Sequence, residues 1–448
     1  MMDMMNDEIR VFTPSGMLGY GIPAESMARG AALSPHVVTI DSGSTDSGPQ
    51  KLGLGSMTCS REAYIKDISL ILRQAVPKRI PVFISSAGGD GTNAHVDEFV
   101  DIVRAFAAEH DTRLRVATIY ADIAKDEIKR RLGQGQVQPC GPVPSLTETE
   151  IDAASNIVAQ MGVEPYLAAL GGAPELDVII SGRTYDPVPM AVLGLRAGFD
   201  PGLCWHMGKI MECGAVCAEP KGRSIFGTLR RNGFELEPIN PAERCTTLSV
   251  AAHTLYEKSH PWLLPGPGGV LDLSGAIYEQ VTDRRVRVAG GVFVPNRYTV
   301  KLEGAKVIGH RSIFIAGARD PIFIAALAGV FERVRQTVRD FAPELSPDSY
   351  QLIFHQYGRN GVMAEREPLQ HVVSHELGII GEVAAPTQAI ADALCNRARV
   401  ALMHLSYPGQ RATAGNIASP FTPLEIPLGQ VCAFNIYHLS RASRNQRG

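Results

Sequence analysis

Between Asp177 and Gly214 the chain concentrates residues that can move protons and hold anions. The stretch opens with DVIISGRTYDP, an apolar run leading into Ser181, Gly182, Arg183, Tyr185 and Asp186. It closes with His206–Gly214, HMGKIMECG. Arg183 presents a planar fork that suits a carboxylate or phosphate, and equally a surface ion pair. Asp186 precedes Pro187 and suits either catalysis or the cap of the next helix. If His206–Gly214 is one helix, His206, Lys209 and Glu212 fall on neighbouring faces. Beside a cleft, such a trio can divide proton abstraction, charge stabilisation and proton donation. On a solvated face it is an ordinary Glu–Lys pair, but Trp205, Ile210 and Met211 predict partial burial.

Other clusters offer supporting chemistry. Ser85–Thr92 reads SSAGGDGT. It lacks the Gly-Lys-Ser/Thr ending of a phosphate loop and does not match Gly-x-Gly-x-x-Gly, so no nucleotide cofactor is expected. Ser85, Ser86, Gly88 and Gly89 can still offer N–H and hydroxyl groups to an anion, as can Ser15 in the Pro14–Gly16 turn. Asp41, Asp46, Asp90 and Asp122 all fall at strand ends, where oxygen ligands could hold a magnesium-like divalent cation. Solvated turn aspartates are the commoner use of such residues. Cys213 with Cys217 and His371 with His375 have helical spacing but lack the further ligands that zinc requires. No Gly-x-Ser-x-Gly elbow is present, which argues against a serine hydrolase. Arg319 ends a strand ahead of Asp320 and Pro321, where a helix N-terminus favours anions.

Something must hold these groups in place. Five short apolar runs (Glu8–Thr13, Val37–Ile40, Pro81–Ile84, Leu114–Tyr120, Asp177–Ile180) each end in Ser, Asp or Gly. Helical stretches are expected at Ala24–Ala31, Arg61–Ala75, Val96–Glu109, Lys125–Leu132, Glu148–Leu170 and Val188–Ala197. Alternating strands and helices predict an α/β fold with a mostly parallel sheet flanked by helices. In open α/β sheets ligands lie beyond the C-terminal strand ends, so five polar ends predict one cleft. From about Gly222 short alternating runs predict antiparallel β structure. A helix at Pro321–Phe341, a strand at Tyr350–His355, a helix at Thr387–Leu405 and a strand at Val431–His438 follow. That order predicts a C-terminal α+β, ferredoxin-like domain. The expected division is 1–220, 221–320 and 321–448.

The 448 residues carry 43 Lys+Arg against 46 Asp+Glu, a net charge of −3. This gives no basic footprint for nucleic acid or a polybasic membrane surface. No run approaches the roughly 20 apolar residues of a membrane span. The N-terminus has no secretory character. With eight scattered cysteines, it reads as a cytoplasmic chain with reduced thiols.

The joined segments DVIISGRTYDP and HMGKIMECG resemble the signature of the acyclic terpene utilisation (AtuA-type) family. There an apolar strand leads to Gly-Arg-x-x-Asp, and a His precedes Glu-Cys-Gly. SSAGG at Ser85–Gly89 is similar to the family's Asn-Ala-Gly-Gly loop, with Ser86 at the Asn position. Pro14–Gly21 resembles its glycine-rich first loop, and Phe434–Leu439, FNIYHL, resembles a subgroup. The resemblance covers roughly residues 8–330. It implies a cytoplasmic, catabolic protein, in some members beside a small companion protein; a homo-oligomer is expected.

With acid/base and anion-binding groups but no redox, ATP or nucleophile motif, the expectation is a hydratase/dehydratase or isomerase. Its substrate would be a small carboxylate or acyl thioester. Arg183 would anchor the carboxylate with help from Ser85–Gly89. Glu212 or His206 would move the proton, and Lys209 would steady enolate-like charge. The competing expectations are a non-catalytic acyl- or partner-binding subunit and a metal-dependent hydrolase.

Overall fold

The computed structural model describes residues 7–43, 48–173, 175–255, 260–372, 374–411 and 413–441. Asp46 therefore lies outside the described residues. The fold is mixed α/β, with several sheets and flanking helices. The chain forms two compact units. The first runs to Lys306 and takes up the chain again from Phe434; the second is Val307–Ala433.

A nine-stranded mixed sheet dominates the first unit. Its order is Ile277–Gln280, Val286–Ala289, Gly233–Pro238, Ile225–Arg230, Glu8–Thr13, Val37–Asp41, Val82–Ser85, Val178–Ser181 and Val116–Ile119. The last five are mutually parallel, with Val11 opposite Val37, Ile40 opposite Ile84 and Ile84 opposite Ile180. The first four add on antiparallel through Glu8–Thr13 and Ile225–Arg230. So strands expected in a separate β-rich extension instead lengthen the sheet that carries the polar strand ends.

The three central parallel strands, Val37–Asp41, Val82–Ser85 and Val178–Ser181, are buried on both faces, which is why they read as unbroken apolar runs rather than alternating ones. Alternate residues feed opposite cores. Phe83 and Ile179 join one cluster; Val82, Ile84, Val178 and Ile180 join the other. Helix Arg61–Ala75 starts where Ser60 accepts from the Ala63 N–H, and lays Tyr64, Ile68, Ile71 and Leu72 on the second core. Helices Val188–Arg196 and Pro201–Met211 cover the first core.

Three segments differ from the sequence reading or lie outside it. Glu148–Leu170 is not one helix. Glu148–Ala153 and Glu164–Gly172 are helical, but Asn156–Gln160 is a strand, paired antiparallel with Lys301–Ala305. His206–Gly214 is not one helix either: the helix ends at Met211, Glu212 is its C-cap, and Gly214 turns at φ +61°. The strand Leu377–Ala385 was not anticipated.

In the second unit, residues of the Thr299–Ala318 strand pair antiparallel with Leu377–Ala385, which pairs with Gln351–Tyr357. Helix Pro321–Phe341, capped by Asp320, and helix Gln388–His404 bury Phe323, Leu327, Val334, Leu394 and Leu402. Among the described residues no helix is long and apolar enough to cross a membrane.

Candidate functional site

A cavity of about 590 Å³ opens in the first unit. Four of the five parallel strands reach it with their C-terminal ends, through Ser15–Met17, Asp41 and Gly43, Gly89 and Asp90, and Arg183 and Asp186. Glu212 and Cys213 enter from the end of helix Pro201–Met211. Lys51 and Leu52 come from the short helix Gln50–Leu54, Lys301 and Glu303 from one long strand, and Phe434 and Tyr437 from another.

The loops that build this wall are fixed by close backbone approaches. The Arg183 N–H donates to the Gly91 carbonyl at 2.9 Å, and a Cβ on Gly91 would stand 2.3 Å from the Arg183 nitrogen. At Gly214, a Cβ would stand 2.2 Å from the Arg223 carbonyl. The Glu-Cys-Gly turn therefore packs against its neighbours as bare backbone. Asp67 holds the first loop: its carboxylate accepts from the N–H groups of Gly19, Gly21 and Ile22 at 2.9–3.1 Å.

One side of the cavity is charge-paired. Arg183 donates from Nε to Glu303 at 2.9 Å, and from Nη1 to Asp186 at 2.6 Å and the Thr184 carbonyl at 2.8 Å. A longer 3.4 Å contact reaches Ser86 Oγ. Lys301 adds a 2.7 Å pair to Glu303. Burial alone would raise Glu303, but the Arg183 and Lys301 charges hold it down at about 2. Burial opposes the charge on Arg183, yet Glu303 and Asp186 keep it firmly cationic. Arg183 is thus paired with two protein carboxylates, Glu303 and Asp186. Lys51 and Arg223 line the cavity and make no ion pair among the described residues.

The other side is under-paired. Asp41 is buried at the end of its strand, and Ser85 Oγ donates to its Oδ1 at 2.7 Å. Burial, reinforced by the Asp186 charge, pushes Asp41 up to about 7. Glu212 is 5% exposed. Lys209 Nζ donates to its Oε1, while Oε2 is buried with no partner among the described residues. Burial outweighs the Lys209 charge, and Asp186 and Asp41 add to it, so Glu212 rises to about 8.

Lys209 itself is buried behind Glu212 and does not line the cavity; Glu212 raises it above its usual value against the opposing effect of burial. Its Nζ is in contact with the Glu212 carboxyl and not with the cavity. His206 is a core residue. It is fully buried, with Nε2 3.4 Å from Thr254 Oγ1 and its ring edge-on to Phe234 and Tyr278.

The remaining expected residues divide the same way. Ser15 and Gly89 line the cavity. Ser181 ties Tyr166 to Thr184 at 2.7 and 3.0 Å, and Gly182 packs on Ala121 and the Gly91 carbonyl. Tyr185 lies against Trp205 and Gly266. Gly88 accommodates the His95 ring. Ser85 and Ser86 act through Asp41 and Arg183. Arg319 is an exposed residue of the second unit and is not part of this cavity.

Asp41 and Asp90 line the same cavity, but the described strand-end aspartates have separate partners. Asp41 faces Ser85, Asp90 faces Thr92 and His95, and Asp122 accepts from the Asn93 N–H. Among the described residues no group of three or more His, Cys, Asp or Glu is arranged to hold a metal ion. Sequence reasoning missed Lys51, Lys301 and Glu303, which no local motif marks; Phe434 and Tyr437 fall in the FNIYHL segment, to which the sequence reading gives no site role. Comparisons with protein-family models, curated proteins and solved structures returned no match.

Proposed function

We propose that this chain is an acid/base enzyme, a hydro-lyase or isomerase acting on a small carboxylate or its acyl thioester. The observation that carries the reading is the pair of buried carboxyls in one cavity, Asp41 and Glu212, whose proton affinities sit near neutral pH. General acids and bases work best with pKa values near the operating pH.

In the hydro-lyase direction, the Asp41 carboxylate takes the proton from the carbon next to the substrate's carboxyl or thioester carbonyl. The C–H electrons form the C=C bond. The neighbouring C–O bond breaks, its hydroxyl taking the Glu212 proton and leaving as water. Asp41 ends protonated and Glu212 ionised; proton exchange resets them. Lys209 then faces a fully charged Glu212, which it is placed to stabilise. Lys51 and Arg223 supply positive charge for the substrate anion. Met17, Leu52, Val216 and Phe434 supply apolar area for its carbon skeleton.

Membership of the acyclic terpene utilisation family belongs to the same proposal. The Gly-Arg-x-x-Asp and Glu-Cys-Gly segments supporting it both border the cavity. Ser86, at the family's Asn position, has φ +50°, a left-handed conformation that Asn tolerates well. For the second unit, the order strand–helix–strand–strand–helix–strand, with Leu377–Ala385 between the other two paired strands, supports a ferredoxin-like domain.

The test is turnover of a panel of small 3-hydroxy acids and their thioesters, followed by the absorbance of the product alkene. Glu212→Gln should lower kcat by about 10²–10⁴. Wild-type kcat/KM should be bell-shaped, with limbs near 7 and 8 belonging to the coupled pair. A folded, fully active Glu212→Gln protein would contradict the reading.

A further inference from the structure

The cavity is graded from floor to rim. Asp41 and Glu212 are buried, whereas Tyr20, Phe434 and Tyr437 line the same cavity at 41–50% exposure. Five acidic side chains line it: Asp41, Asp90, Asp186, Glu212 and Glu303. Of the four basic ones, Arg183 and Lys301 pair with Asp186 and Glu303. Lys51 and Arg223 make no ion pair among the described residues. Arg223 is exposed, and its Nη1 donates to the carbonyls of Tyr20 and Gly21 at 2.5 and 2.6 Å. Gly222 and Arg223 also line a second cavity of about 360 Å³, where Lys221 adds an exposed cation with no ion pair among the described residues. The two carboxylates there are engaged, Glu25 by Arg29 at 2.6 Å and Glu243 by Asn240 at 2.9 Å.

A free carboxylate at the Asp41–Glu212 floor would face this acidic lining, and loss of a proton from the carbon beside it would add a second negative charge to the ligand. A thioester carbonyl is neutral, and a carrier's phosphates hold the ligand's charge away from the reacting carbon. We propose that the substrate is a coenzyme A thioester, with its acyl group at Asp41 and Glu212, its base against Phe434 and its phosphates at Lys51, Arg223 and Lys221. The inference rests on the acid/base reading of this cavity and names the substrate class. An aromatic face takes a planar base by stacking, and guanidinium and ammonium groups take phosphates. Cavities of roughly 300–1,000 Å³ enclose drug-sized ligands. The cavity of about 590 Å³ is therefore larger than a small acid fills, and the second cavity extends the path past Arg223. No phosphate loop is required, because the phosphates stay at exposed side chains.

The experiment is calorimetric titration of the full-length protein at pH 7 with coenzyme A, 4′-phosphopantetheine and 3-hydroxyhexanoate. Coenzyme A should bind roughly ten-fold or more tightly than either of the others. Phe434→Ala, a change at an exposed side chain, should lower coenzyme A affinity by roughly ten-fold and leave phosphopantetheine binding in place. Three results would each overturn the proposal. Equal binding of coenzyme A and phosphopantetheine would point to a carrier protein as the source of the thioester. Tightest binding of 3-hydroxyhexanoate would point to the free acid. Unchanged coenzyme A affinity in Phe434→Ala would remove the base-stacking site. The wild-type comparison needs no variant to fold. Because binding is read without turnover, failure here with an intact Glu212→Gln rate loss removes the carrier alone. Coenzyme A binding with a fully active Glu212→Gln protein removes the acid/base reading instead.

Discussion

The two sides of the cavity hold the same residue types in opposite electrostatic states. Glu212 is buried and Glu303 partly so, and each has a lysine in contact. Glu303 also has the Arg183 guanidinium, and sits near 2; Glu212 has one lysine and two carboxyl neighbours, and sits near 8. The lesson is that burial alone does not set a carboxyl's chemistry. With two cations the charged form is favoured despite desolvation; with one, desolvation and like charge win. The Arg183 side is held in its charged form, and the Asp41–Glu212 side has proton affinities near neutral pH.

The sharpest way to break this contrast is to remove the guanidinium. Arg183→Met should destabilise the protein by about 3–5 kcal/mol, because the partly buried Glu303 and Asp186 each lose a charge-assisted hydrogen bond to it. Urea denaturation checks this. A loss well under 1 kcal/mol would mean that the pairing is not structural.

Much of the framework could be read from the sequence. Fully buried parallel strands leave continuous apolar runs, so Val37–Asp41, Val82–Ser85 and Val178–Ser181 stand out, and Asp320 marks the start of its helix. Asn156–Gln160 was misread because a tertiary partner, Lys301–Ala305, overrides its helical surroundings. Gly162 and the helix-starting Pro165 were the breaks that signalled it. Leu377–Ala385 alternates buried and exposed residues, yet its glycines dilute the pattern.

In the site, Glu212 and Asp186 were legible as motif residues. The roles expected of Arg183, Lys209 and His206 were not, because each depends on a partner remote in sequence or on burial. Glu303 lies 120 residues from Arg183, and Thr254 lies 48 from His206. Asp41 was seen as a metal ligand. Only the sheet order, which sets its strand beside Ser85, and the nearby Asp186 charge show the buried setting that raises its proton affinity.

A smaller effect sharpens the contrast from the under-paired side. Asp41 titrates at 3.8 when unperturbed and near 7 in the folded chain. Between those values the folded state binds more protons than the unfolded state. The associated stability is complete below about pH 4 and is lost as pH rises through 7. Asp41→Asn keeps an acceptor for Ser85 but cannot ionise. It should therefore remove roughly 2–4 kcal/mol of the wild type's stability loss between pH 4 and pH 8. Thermal melts across that range check it. Parallel pH profiles for the two proteins would show that Asp41 is ionised in the folded protein throughout.

The protonation of the two carboxyls themselves is the most direct measurement. Carbon-13 NMR of labelled Asp and Glu side chains, assigned with Asp41→Asn and Glu212→Gln, follows each carboxyl through a pH titration. The expected result is two resonances titrating near 7 and 8, each lost in its own variant, while Glu303 stays ionised down to about 2. Complete titration of Asp41 and Glu212 below about pH 5, in the ordinary carboxylate range, would contradict a proton-exchanging pair and with it the proposed chemistry.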